Sequence, residues 1–289
     1  YYGVPGIPPS STCGSNKTVD RVRFLTPLSQ YCGLIGQYND PLGKQYYNGL
    51  EVKLEKRTTH GLSFRIAYTY SKTMAQTGYQ NGWPYQDAQL KKQIAGQDRT
   101  HVFSNTTEWQ LPVGKGRAAL SNAHGILGAL VNGWAADWSI SAETGRPVSL
   151  NTGHWYACNH PYRPDGGPTL THYLYNDYSS GSKLGCYTSI PQYGLMNLPN
   201  RISGLRDPTI VNLNLALHKQ FSLTERMKLQ FRADAFNATN TVLFPGPDSN
   251  PADGPPKQQA NGTWTGFGTV NLFQQNFPRV IQLSAKILF

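Results

Sequence analysis

Met227-Lys228-Leu229-Gln230-Phe231-Arg232-Ala233-Asp234-Ala235 alternates without a break between an apolar and a polar residue. Successive side chains of an extended strand point to opposite faces, so this segment, 227 to 236, predicts a strand whose two faces meet different surroundings. The same period recurs in both directions along the chain. In 61 to 72, Leu62, Phe64, Ile66, Tyr68 and Tyr70 oppose Ser63, Arg65, Thr69 and Ser71. In 132 to 144, Trp134, Ala136, Trp138, Ile140 and Ala142 oppose Asp137, Ser139, Ser141 and Glu143. Val211, Leu213, Leu215 and Leu217 oppose Asn212, Asn214 and His218 in 209 to 219, and Ile281, Leu283, Ala285, Ile287 and Phe289 oppose Gln282, Ser284 and Lys286 in 279 to 289. Two weaker segments, 46 to 57 and 101 to 111, bring the count to seven.

A soluble sandwich also alternates, so the choice of solvent on the apolar side rests on the connections. Only Arg57-Thr58-Thr59-His60 separates the first two predicted strands, and Phe221 to Arg226 the fifth and sixth. The segments 73–100, 151–207 and 245–268 are long and rich in Gly, Pro, Asn and Tyr. Long connections follow strands two, four and six, and shorter ones follow one, three and five, which puts every long loop on one side. Short turns at one end and long loops at the other are the habit of outer-membrane barrels, whereas long structureless loops are uncommon in compact soluble domains. A strand of about ten residues, rising roughly 3.3 Å per residue and tilted near 45°, spans the apolar band of such a barrel.

Composition agrees. Hydrophobic residues are 38% and charged residues only 15% of 289, so the polar weight lies in Asn, Gln, Ser, Thr, Gly and Tyr, suited to strands with one wet face and to surface loops. No apolar run approaches the roughly 18 to 20 residues of a membrane-spanning helix. The chain opens on Tyr1-Tyr2-Gly3-Val4-Pro5-Gly6 with no signal-peptide pattern, as expected of a processed chain or a piece of a longer one. The net charge of +10 is scattered rather than gathered on a basic helix, so nucleic acid is not an expected partner. The expected architecture is all-β: an antiparallel transmembrane β-barrel segment of seven strands over 46–289, preceded by an extracellular loop region over 1–45, in the outer membrane of a Gram-negative cell.

Particular residues carry further expectations. Cys13 and Cys32 share one predicted external loop and Cys158 and Cys186 another, so two intraloop disulfides follow naturally in an oxidising compartment; four cysteines allow three pairings, and free thiols are the alternative. His154, Cys158, His160 and His172 carry metal-ligating atoms, but their spacing matches no compact zinc motif, and no metal is expected. Trp109, Trp134 and Trp138, with Tyr46, Tyr68 and Tyr70, suit the interfacial girdles of a barrel. The loop aromatics Trp83, Tyr85, Trp155 and Tyr156 are candidates for touching a ligand, although exposed loop residues are as often plain surface. Glu51, Glu55 and Glu143 fall on the polar sides of strands, where pore lining accounts for them. No GxSxG, HExxH or phosphate-cradling glycine loop occurs, so neither enzymatic activity nor a cofactor is expected.

Several stretches taken in order resemble a known family. They are Tyr47-Asn48-Gly49-Leu50-Glu51-Val52-Lys53-Leu54-Glu55-Lys56-Arg57, His60-Gly61-Leu62-Ser63-Phe64, Tyr68-Thr69-Tyr70-Ser71-Lys72, Asp98-Arg99-Thr100-His101-Val102-Phe103, Leu111-Pro112-Val113-Gly114-Lys115-Gly116, Thr144-Gly145-Arg146-Pro147 and Leu229 to Asn237. The chain resembles the C-terminal part of TonB-dependent outer-membrane receptors, in particular the Oar-like, carboxypeptidase-regulatory-domain group of Acidobacteria. That resemblance implies a barrel of roughly 22 strands, a plug and a TonB box in the missing N-terminal part, and import of a ligand with energy delivered through TonB. It also implies outer-membrane lipid and lipopolysaccharide, the remaining strands and the plug as partners. Ile281, Leu283, Ala285, Ile287 and the terminal Phe289 resemble the signal read by the barrel-assembly machinery. A surface-exposed structural or adhesive protein that self-associates or binds matrix through its loops is the second expectation.

Overall fold

In the computed structural model, which describes residues 43–76, 92–150, 153–191, 197–224 and 226–289, seven long strands follow one another as a single meander. They are β1 (Lys44–Thr59), β2 (Leu62–Gln76), β3 (His101–Gln110), β4 (Trp134–Glu143), β5 (Ile210–Ser222), β6 (Lys228–Phe236) and β7 (Val280–Leu288). Each pairs antiparallel with its neighbours in sequence. These are the seven segments the alternation predicts. β2 runs past the predicted end at 72 to Gln76, and Gln93–Ile94 pairs back onto it at Ala75 and Met74, so the first long loop is narrower than 73–100.

The register brings every apolar set to one side. One row crosses the sheet as Phe64, Thr107, Trp138, Leu215, Ala235 and Ile281, and another, on the opposite face, as Ser63, Glu108, Asp137, Ala216, Asp234 and Gln282. A slip of one residue in any ladder would reverse a strand's faces, so the coincidence across six ladders fixes the sheet as two-sided. The apolar side is uncovered: Leu50, Val52, Leu54, Leu215, Leu217, Phe231, Ile281 and Leu283 are all exposed. A continuous apolar surface of this extent is a liability in water and the ordinary state of a wall facing lipid. Two polar insertions on that side are satisfied locally. Asn105 Nδ2 donates to Thr107 Oγ1 at 3.1 Å, and Lys219 is held under the connection between β3 and β4, as described below.

The connections at one end are tight. Thr59 pairs with Leu62, leaving His60 (φ 52°) and Gly61 (φ 78°) as a two-residue turn whose positive φ values match the twist of the flanking strands. The turn lies closer to β2 than 57 to 60, because Arg57, Thr58 and Thr59 continue the strand. Residues 111–133 join β3 to β4 and contain a short helix, Gly125–Val131, that period-two reading had no means to find. Trp109 and Trp134 stand at the strand ends facing this connection, as a girdle requires, but Trp138 lies in the middle of β4. Among the described residues β1 pairs only with β2 and β7 only with β6, so both outer edges of the sheet are bare.

At the opposite end the long connections are not loose. The hydrophobic core cluster of the described residues gathers there, with Tyr187, Leu198, Leu174 and Leu205 from the connection between β4 and β5 and Phe267 and Val270 from that between β6 and β7. This cap is seated on the strands through the motifs around Asp98 and Gly145. Asp98 is fully buried; its carboxylate accepts from Thr73 N at 2.5 Å and from Arg206 Nη2 at 2.5 Å. The same guanidinium donates to the carbonyls of Asp98 and Gly145 at 3.2 and 3.1 Å. Arg99 donates to Thr144 O at 2.9 Å and pairs with Glu143 at 3.3 Å. Gly145 has no room for a side chain, since the carbonyl of Asp207 occupies the position of a Cβ. Asp98 thus ties β2, the start of β3 and the cap together.

Removing one partner of a buried ion pair leaves the other charge uncompensated, at a cost of about 3 to 5 kcal/mol. Asp98→Ala is therefore expected to release the cap. Protease nicking within 153–191 should rise sharply while hydrogen exchange in β4, β5 and β6 stays slow; unchanged nicking would show that Asp98 does not hold the junction.

Candidate functional site

The cap is built from the residues around the second cysteine pair outward. Trp155–Tyr156 pairs antiparallel with Tyr187–Thr188, and this two-rung ladder brings Cys158 and Cys186 into a disulfide with a Cα–Cα distance of 5.2 Å. Closing a 28-residue separation restricts the unfolded loop by about 3 to 4 kcal/mol in the chain-entropy account. Two asparagines take the place of longer ladders: Asn197 accepts from Tyr156 N at 2.9 Å and donates to Tyr156 O at 2.8 Å, while Asn176 accepts from Cys186 N at 2.6 Å. The ring of Tyr156 packs at 4.8 Å from Tyr162 and 5.1 Å from Tyr187, and Tyr187 at 4.6 Å from Phe267. Phe267 belongs to the other long connection, so the two close on one aromatic core. Gly268, at φ +75°, permits the approach: a Cβ there would lie 3.2 Å from Leu174 N and O.

Of the residues singled out as ligand-contacting, Tyr156 is inside this core and gives its hydroxyl to His160 O at 2.8 Å. Its aromatic face is used for packing, not for a ligand; Trp155 beside it is partly exposed. Trp83, Tyr85, Cys13 and Cys32 lie outside the described residues. The sulfur of Cys158 is committed to the disulfide and cannot act as a thiolate ligand. His160 stacks on Tyr175 at 3.6 Å, its Nδ1 lies 2.8 Å from Pro161 O, and its Nε2 lies 3.4 Å from Asp165. Among the described residues no three His, Cys, Asp or Glu side chains converge as a metal site.

Below the cap, the polar face of the sheet carries a chain of charges. Arg232 donates to Asp137 Oδ2 and to Asp234 Oδ1, both at 2.8 Å, and His218 Nδ1 stands 3.5 Å from Asp137 Oδ2. The carboxylate of Asp137 keeps Oδ1 without a hydrogen-bond partner among the described residues. On β1 and β2, Glu55 pairs with Lys53 at 2.9 Å and with Arg65 at 3.5 Å. Sequence alternation shows that these side chains share a face; it does not show that Arg232 bridges β4 and β6 across β5. That link depends on the register, which sets Asp137 opposite Ala216 and Ala216 opposite Asp234. Such a wall can fix water, a polar solute or a complementary protein surface. At the far end Ile281, Leu283, Ala285, Ile287 and Phe289 are all exposed, on the apolar side of a strand whose outer edge is free.

Burial in the cap raises the phenols. Tyr156 and Tyr173 are pushed up to about 12, chiefly by desolvation, and Tyr187 is raised for the same reason. An acid whose folded pKa is raised binds its proton more tightly in the folded cap than in the unfolded one. The resulting stability is complete below the ordinary tyrosine value of about 10 and is lost as pH climbs towards 12. In an ultraviolet tyrosinate titration, exposed phenols should ionise near the ordinary value and the buried group only in a later step that coincides with melting of the cap. A single titration step near pH 10 with the cap still folded would contradict this packing.

The amphipathic meander, the uncovered apolar side and the charged inner wall agree with the comparison to known families. A family model described as an outer membrane beta barrel domain matches residues 5–282. No curated protein matches the chain, and no solved structure does. With nearly the whole length matched and the two-sided sheet to support it, the chain belongs to the outer membrane beta-barrel domain family.

Proposed function

We propose that this outer-membrane chain is the C-terminal wall of an Oar-like TonB-dependent receptor that takes up a ligand from outside the cell. The observation that carries the proposal is that, among the described residues, both outer edges of a sheet with one lipid-facing and one charged side have no strand beside them. Unpaired backbone groups are not tolerated in hydrocarbon, so β1 and β7 need further strands beside them. The resemblance to receptors of about 22 strands supplies the rest of the wall, and a barrel of that size holds a plugged lumen. The ion pairs of Arg232, Asp137 and Asp234 then face that plug, and the cap roofs the lumen where ligand enters. Ile281, Leu283, Ala285, Ile287 and Phe289 present the apolar edge that the barrel-assembly machinery reads during insertion.

Extraction from native outer membranes without heating, followed by intact mass measurement and terminal sequencing, tests this reading. The expected species is roughly three times this length, with seven of about 22 strands accounted for here, and its N-terminal part binds the purified periplasmic domain of TonB. A stable species of 32.0 kDa beginning at Tyr1, indifferent to TonB, would overturn import and favour a self-associating or adhesive surface protein built on the cap.

A further inference from the structure

The short helix Gly125–Val131 stands on the lipid side of the wall, at the end of the sheet with tight turns. Its position is fixed by two side chains that the register assigns to the apolar face. Lys219 lies opposite Trp134 on β4 and opposite Phe231 on β6, in phase with Leu215 and Leu217. Its ammonium donates to the carbonyls of Leu130 at 2.7 Å and Asn132 at 2.9 Å, and sits 4.7 Å above the Trp134 ring and 4.9 Å from that of Phe221. Trp134 Nε1 also donates to Leu130 O at 2.8 Å. A cation at the carbonyl end of a helix, between two aromatic faces, is stabilised there without an acidic partner. Lys219 is thus the pin that holds the helix to the outside of the barrel.

What the helix then presents is apolar. Ile126, Leu127 and Leu130 are exposed, Ile126 by 83%, and their spacing places them on one face. Gly128 faces inward, where a Cβ would lie 2.7 Å from Ala123 O. The connection from 111 to 133 contains Lys115, Arg117 and His124 and no acidic residue. Apolar side chains on one face, basic residues beside them and tryptophan at the boundary are the pattern of a segment lying in the plane of a membrane interface. Lys219, on the same face of β5 as the exposed Leu215 and Leu217, holds the end of the helix at Leu130.

We propose that Gly125–Val131 is an in-plane anchor seated in the periplasmic leaflet of the outer membrane, with Ile126, Leu127 and Leu130 among phospholipid acyl chains and Lys115 towards anionic headgroups; Arg117 is instead held by Gln110 on the polar face, at 2.8 Å. Short turns face the periplasm in such barrels, so the leaflet it meets is phospholipid and not lipopolysaccharide. The inference rests on the barrel's place in the outer membrane and is independent of import.

Photo-crosslinking from p-benzoylphenylalanine placed at position 126, at 121 and at 215 of the full protein in its native outer membrane tests it. Position 215 reports an embedded wall by its own lipid adduct. The expected result is a phospholipid adduct at 126 and at 215 and none at 121, with heat-shifted gel mobility retained. Lys219→Met should abolish the adduct at 126 while leaving that at 215; persistence at 126 would remove Lys219 as the pin. An adduct at 126 to another protein or to lipopolysaccharide, or no adduct there while 215 still labels lipid, would overturn the anchor.

Discussion

Backbone hydrogen bonding in a medium without water is the constraint on which the molecule depends. Each amide and carbonyl that enters hydrocarbon must be paired, and pairing within one chain is available only to helices and closed sheets. This chain has no helix among its described residues long and apolar enough to cross, and its strands instead pair in sequence order through six ladders. The connectivity therefore needs no crossover, and each strand needs only alternation and a turn. Among the described residues, the outer sides of β1 and β7 are where that constraint is still unmet, which makes them the most informative backbone in the structure.

A sheet with lipid on one side has no interior of its own, so the buried apolar cluster lies elsewhere. The long connections supply it, with Tyr156, Tyr187 and Phe267 packed across two loops and a disulfide limiting the alternatives. Asp98 and Arg206 then couple this roof to the wall through a buried charge pair. Desolvation offsets much of the attraction in such a pair, so its net contribution is small even though losing one partner is costly. The cap has its own packed core and disulfide and is joined to the strands at defined positions such as Asp98 and Gly145.

The wall was legible in the sequence because period two is a local signal. Leu62 to Tyr70 and Met227 to Ala235 announce both the strand and its faces. The exceptions were less so: Lys219 breaks the apolar run of β5 for a reason that lies on another segment, and Asn105 and Thr107 satisfy each other across one residue of β3. The helix at 125–131 has too short a run to show a period of its own. The cap was the least legible part. Tyr156 looks like a loop aromatic free to meet a ligand, and it is buried because Tyr187 and Asn197 arrive from distant positions while Tyr162 of the same loop packs beside it. The motif around Asp98 was recognisable as a pattern, but its partner Arg206 is 108 residues away, beyond the reach of any local reading.

Electron cryomicroscopy of the species extracted from native outer membranes shows what lies against the outer edge of β1. The expected result is a closed barrel in which further strands of the same polypeptide pair with β1 on one side and β7 on the other. A barrel in which β1 pairs with β7 of the same chain, or with β7 of a second copy, would contradict it.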